Sequence, residues 1–176
     1  MENKPSTFTI TLGYGVIVAL ALVVFSLILY LLGLDKNPGI AYLSYLILLA
    51  GIILAQLNFR KKYLGGYIEY GKAFTVGLLT TLWVSIIVAL YTFIFFKYID
   101  PGAMEEGMAI AEKKMMDKGM SDQEIEQGLA FMQKMQNVGF YTTVALIGNF
   151  VVGIVFSLIT SIFIKKENPE YGQPQA

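Results

Sequence analysis

Residues 5–34 read PSTFTITLGYGVIVALALVVFSLILYLLGL and contain no Asp, Glu, Lys or Arg. A helix needs about 20 apolar residues to cross a hydrocarbon core of about 30 Å, so this stretch is long enough to span a bilayer. Outward from it, charge-free stretches recur at 37–59, 73–96 and 135–164. The pattern predicts an all-α polytopic membrane protein with transmembrane helices at about 9–34, 40–59, 73–96 and 138–164. An amphipathic helical hairpin is expected at about 100–136, between helices three and four, in a single membrane domain covering 1–176.

The first stretch reads as a retained anchor rather than a cleaved signal. Signal h-regions run about 7–15 residues, whereas 10–34 is almost unbroken, and Gly13 and Gly15 are not followed by an A-x-A-like site. Hydrophobic residues make up 56% of the chain at mean hydropathy +0.61, which leaves room for one bundle and one modest element outside the bilayer. Formal net charge is zero, which does not favour a nucleic-acid partner. Cysteine and histidine are both absent. Thiolate nucleophiles, the commonest general base and the commonest metal ligand are therefore missing, so an enzyme is not expected, nor is any cofactor.

Asp35-Lys36-Asn37-Pro38-Gly39 reads as a tight turn, with Gly39 supplying any positive φ, and returns helix two antiparallel to helix one. Arg60-Lys61-Lys62 reads as a charged stop ending helix two, and Lys165-Lys166 ends helix four. Seven cations (Lys4, Arg60, Lys61, Lys62, Lys72, Lys165, Lys166) lie on the side of the termini, close to helix ends. Six lie on the other side, five of them spread through 97–134 among eight carboxylates. The denser clustering places both termini of this multi-pass protein in the cytoplasm.

In the 97–134 segment, Asp100-Pro101 resembles an N-cap followed by Pro at the first helical position. Gly119 fits the position that closes a helix, and Ser121-Asp122-Gln123-Glu124 is a capping box. Apolar residues at Met104, Met108, Ala111 and Met115, and again at Ile125, Leu129, Met132 and Met135, put one stripe on each helix. The second helix of the hairpin is expected to run on into helix four.

Three features invite a chemical reading. Residues 66–73 nearly match a phosphate-binding loop, but Ala73 stands where a magnesium-holding hydroxyl is needed and no strand precedes it. The segment reads as a flexible turn. Seven methionines fall within 104–135. Thioethers select Cu(I), but Met also lines adaptable binding surfaces. Met104, Met108, Met115, Met116 and Met132 are thus candidates for an interaction face, with Met116 off the main stripe and available to a partner. Small residues recur at helical spacing through Gly77, Thr81 and Ser85, and through Asn149, Gly153 and Ser157. They read as close-packing faces. The alternative is a polar pathway for a small transporter or channel.

Gly71, Ala73-Phe74 and Gly77 open helix three; Tyr98-Ile99-Asp100-Pro101, the Met/Gln/Glu hairpin with its Ser121–Glu124 box and a Gly-rich helix four follow. This arrangement resembles a group of small bacterial membrane proteins known only as a domain of unknown function, over about residues 8–166. The resemblance implies an inner-membrane protein of four helices and supplies no activity, cofactor or functional residue. The expected function is non-enzymatic, through helix–helix and hairpin contacts. The partners expected are the lipid bilayer and a second copy of the chain or another membrane protein.

Overall fold

The computed structural model describes residues 6–168. Among them are the long helices α1 (Thr7–Leu31), α2 (Leu43–Tyr63), α3 (Tyr70–Ile94) and α6 (Val138–Ile164). Two shorter ones, α4 (Ala103–Asp117) and α5 (Asp122–Met135), lie between α3 and α6. A single helical turn at Pro38–Ala41 precedes α2, and a π-helical turn at Phe95–Ile99 extends α3. Four helices are long and apolar enough to cross a membrane: Thr7–Leu31, Leu43–Tyr63, Tyr70–Ile99 and Val138–Ile164.

Helix ends differ from the hydropathy reading for local reasons. α1 stops at Leu31 although the apolar run continues to Leu34, because Gly33 takes φ +67°. Its N–H reaches the Tyr30 carbonyl and that of Leu34 reaches Leu29, a Schellman closure. The positive φ of this turn therefore falls at Gly33, not Gly39. α2 starts at Leu43 and carries Arg60, Lys61 and Lys62 in its last turn rather than stopping before them. Cations there complement the helix dipole, so the charges mark the end of the apolar span and not of the helix. α3 begins three residues earlier than expected, at Tyr70.

The described residues pack as two compact units, one made of the chain up to Val88 with the part from Ile147 onward, the other Ala89–Leu146. In the first, Val18, Ala19, Leu22, Leu48, Ile52 and Val84 form one cluster. Phe59, Ile68, Ala73, Val76 and Ile164 form another. Its fully buried positions also include Thr11, Gln56, Thr80, Thr81, Ser85, Ser157 and Ser161, whereas Ile17, Leu20, Ile162 and Phe163 are exposed. Small and polar groups inside with Leu, Ile and Phe outside suit a lipid exterior, where apolar surface gains nothing by hiding.

The segment 66–73, read as a flexible turn, is pinned at its start and helical from Tyr70. Gly65 and Gly66 adopt positive φ, Gly66 N–H donates to the Arg60 carbonyl, and Ile68 forms an antiparallel bridge with Lys166. Gly71 and Lys72 already lie in α3, so no phosphate-binding loop exists there.

In the second unit, Asp100 and Pro101 do not cap α4; Gly102 is its N-cap residue and no side chain caps it. The Asp100 N–H instead closes the π-turn on the Phe95 carbonyl, and its own carbonyl accepts from Ala103. Gly119, at φ +74°, ends α4 in a Schellman closure in which Gly119 and Met120 donate to Met116 and Met115. α5 does not run on into α6. Gln136 leaves helical geometry at ψ 72°, and Asn137 Oδ1 accepts from Phe140 to start α6 afresh.

The Ser121 capping box is complete: Ser121 Oγ accepts from Glu124 N–H at 3.4 Å, and Glu124 Oε2 accepts from Ser121 N–H at 2.8 Å. Ser121→Ala is expected to weaken α5 by about 0.5–2 kcal/mol, read as faster amide exchange in 122–126 of the intact protein. Unchanged exchange there would show that α5 does not depend on its cap. The Ser121 backbone N–H and hydroxyl hold the Glu124 carboxyl below its ordinary value. The contribution of that carboxylate is therefore present above the unfolded value and lost as pH falls through the lowered one.

Candidate functional site

Two places in the fold gather polar or interaction-bearing side chains, one in each unit. The first is a polar seam where α2, α3 and α6 meet. Gln56, fully buried on α2, donates from Nε2 to the Ala73 carbonyl at 3.1 Å and to Ser161 Oγ at 3.0 Å. A carbonyl can only accept, so the Ala73 contact fixes which end of the amide points there. Gln56 Oε1, Thr81 Oγ1 and Ser157 Oγ are then left buried without a hydrogen-bond partner among the described residues. Thr80, Ser85 and Ser161 turn their hydroxyls onto carbonyls of their own helices one turn back.

Glycine sets the helix spacing along this seam. A Cβ on Gly77 would sit 2.7 Å from both Gln56 Nε2 and Ser157 Oγ. One turn further along, a Cβ on Gly153 would overlap the Thr81 methyl. The small-residue faces of α3 and α6 thus meet in two rungs, Gly77 on Ser157 and Thr81 on Gly153. Ser85 is fully buried beyond them, while Asn149 is half-buried and has a partner. Two further close approaches involve α1: Gly15 faces Trp83, and Gly51 faces Val18.

Gln56 escaped the sequence reading. The available signal was an amide, Gln56, placed with Asn58 near the end of an apolar run, since polar side chains at membrane depth face other helices. One turn on, Arg60 donates from Nη1 to the Ile164 carbonyl at 2.8 Å, capping the end of α6. The seam holds amide, hydroxyl and carbonyl groups, which donate and accept hydrogen bonds without titrating near neutrality.

The second place is a groove of about 520 Å³ on the hairpin. α4 contributes Met108, Glu112 and Met116, at successive turns of one face; α5 contributes Asp122, Ile125, Glu126, Leu129, Ala130 and Gln133. Ile125 is buried beneath it, and Met116 is 55% exposed. The floor is thioether and aliphatic, the rim carries three carboxylates, and no Lys or Arg lines it. At 1.5 Å per residue the α5 side is about 16 Å long, or three helical turns.

The methionines named from sequence separate here. Met108 and Met116 line the groove. Met115 packs its thioether against Gly128, whose added Cβ would lie 3.1 Å from Met115 Cε. Met104 and Met132 are half-buried outside the groove lining. Among the described residues no three His, Cys, Asp or Glu side chains gather as a metal site.

The chain matches the family described as "Protein of unknown function (DUF4199)" over residues 13–166. It belongs to the DUF4199 family. The match runs from the second turn of α1 to Lys166, so it takes in both the seam and the hairpin groove of this DUF4199 protein. No curated protein and no solved structure matches the chain.

Proposed function

We propose that this DUF4199 protein is a non-enzymatic, multi-pass inner-membrane protein whose hairpin receives a cationic amphipathic helix of a partner protein. The observation that carries the reading is the hairpin groove, apolar in its floor and carboxylate-rimmed by Glu112, Asp122 and Glu126. Met-lined grooves adapt to a helix's apolar face, and the rim selects for Lys or Arg on its flanks. An anionic membrane surface would be repelled by the same rim. The four-span count and the dense cations at 60–62 and 165–166 support cytoplasmic termini, with the hairpin on the other side. The tight glycine contacts of the seam favour helix packing there over a transport pathway.

One experiment addresses both docking and sidedness, because the chain has no cysteine of its own. Gln133→Cys places a thiol in the groove lining. In intact cells a membrane-impermeant maleimide should label it. In purified protein a Leu/Lys amphipathic helical peptide should slow the labelling at least several-fold, and its Leu/Glu counterpart should not. Labelling only after permeabilisation overturns the sidedness, and equal labelling with or without the Leu/Lys peptide overturns the docking.

A further inference from the structure

Six cations lie on the segments around the α2 C-terminus, the α3 N-terminus and the α6 C-terminus: Arg60, Lys61, Lys62, Lys72, Lys165 and Lys166. The fold gathers them. Phe59, Ile68 and Ile164 share one buried cluster. Arg60 bonds the Ile164 carbonyl, Lys166 bridges Ile68, and Lys72 Nζ lies 5.6 Å from the centre of the Phe59 ring. Lys166 stands 5.4 Å over Tyr67, and Lys72 Nζ donates to Thr7 Oγ1 at 2.7 Å, tying the first turns of α1 and α3 together.

The patch is under-compensated. Arg60 is half-buried, its hydrogen bond goes to a neutral carbonyl, and its Nε–H is buried with no partner among the described residues. A partly desolvated guanidinium calls for an anion. Of the two carboxylates on these segments among the described residues, Glu167 lies 4.0 Å from Lys165 at a strongly exposed site, where pairing is weak, and Glu69 is exposed. The first turns of α1 and α3 add two positive dipole ends. All of this sits where apolar spans end, the depth at which a bilayer would carry its lipid phosphates.

We propose that this face binds the phosphate of an anionic phospholipid, with Arg60, Lys72 and Lys166 as its contacts. A membrane phosphate fits better than a free anion because the cations ring the ends of apolar spans whose outer faces present Leu, Ile and Phe. Acyl chains can pack against Phe163, which is 81% exposed at the end of α6.

The test uses the full-length protein in a neutral detergent, titrated with phosphatidylglycerol, with phosphatidylcholine and with inorganic phosphate. Bound lipid is counted by native mass spectrometry. Phosphatidylglycerol should bind in preference to phosphatidylcholine, and inorganic phosphate should not compete at millimolar concentration. Each cation removed by Lys72→Gln or Lys166→Gln should weaken phosphatidylglycerol binding by roughly fivefold, and Lys118→Gln on the hairpin should not. Arg60→Gln should do the same, and the two Lys variants keep the test open if loss of the α6 cap unfolds it. Equal binding of the two lipids overturns the proposal. So does preference for phosphatidylglycerol that survives both Lys substitutions, and competition by inorganic phosphate overturns the lipid as the anion's source.

Discussion

Gly153→Leu is expected to lower the thermal unfolding midpoint in detergent by on the order of 10 °C, the loss of about 3 kcal/mol in a domain of this size. The reason is geometric. A Cβ alone at Gly153 would overlap the Thr81 methyl, and Thr81 Cβ and Oγ1 lie within 2.8 Å of the same point. Thr81 is a branched side chain on the helix wall and cannot swing away as a long side chain would. The helices must separate, and close van der Waals packing is what holds them together in lipid. Gly148→Leu is the matched control, on the same helix with nothing within 4 Å of its added Cβ. Ile162→Leu, at a position 56% exposed, should also be neutral. Equal midpoints for the Gly153 and Gly148 variants would show that the Thr81–Gly153 rung does not hold α3 to α6.

The second large effect is expected at Gln56. Gln56→Glu places a carboxyl of nearly the same shape in a site with 0% exposure. The Ala73 carbonyl that accepts from Gln56 Nε2 would then face an oxygen, and ionisation would bury an unpaired charge. With the carboxyl protonated no charge is buried, so the variant should be least destabilised at the acid end of the range. Destabilisation should grow as pH rises and the carboxyl ionises, reaching several kcal/mol near neutrality. Gln56→Leu removes the orphaned Oε1 and adds no charge, so its stability should not vary with pH relative to the native chain. Unfolding midpoints from pH 4.5 to 8 read both. A Gln56→Glu variant whose deficit is flat across that range would show that the site is wet or rearranges to reach a cation.

The hairpin was legible in particular ways and illegible in others. Ser121 and Glu124 form their reciprocal bonds because a capping box is a contact between residues three apart, wholly specified by local chemistry. Gly119 closes α4 for the same reason. Asp100-Pro101 had the right composition for a helix start, yet the π-turn took the Asp100 N–H and the cap moved to Gly102. Met116 looked like an outlier to the apolar stripe. It lies on the face of Met108 and Glu112, and that face borders the groove only because α5 lies beside it.

The four apolar spans, the all-α class, the Gly119 closure and the Ser121 cap were legible in the chain alone, since each depends on length, hydropathy or residues within a turn of one another. The sequence also marked Gly77, Thr81, Gly153 and Ser157 as small, but smallness does not say which partner comes close. Only the packed fold brings Gly77 to Gln56 and Ser157, Thr81 to Gly153, Arg60 to Ile164 and Gln56 to Ser161. Those contacts join residues up to 105 positions apart, as Gln56 and Ser161 show. In an apolar solvent the hydrophobic pattern is nearly the same on every face of a helix, so periodicity cannot reveal the inward face. Only close approach and the pairing of polar groups single it out.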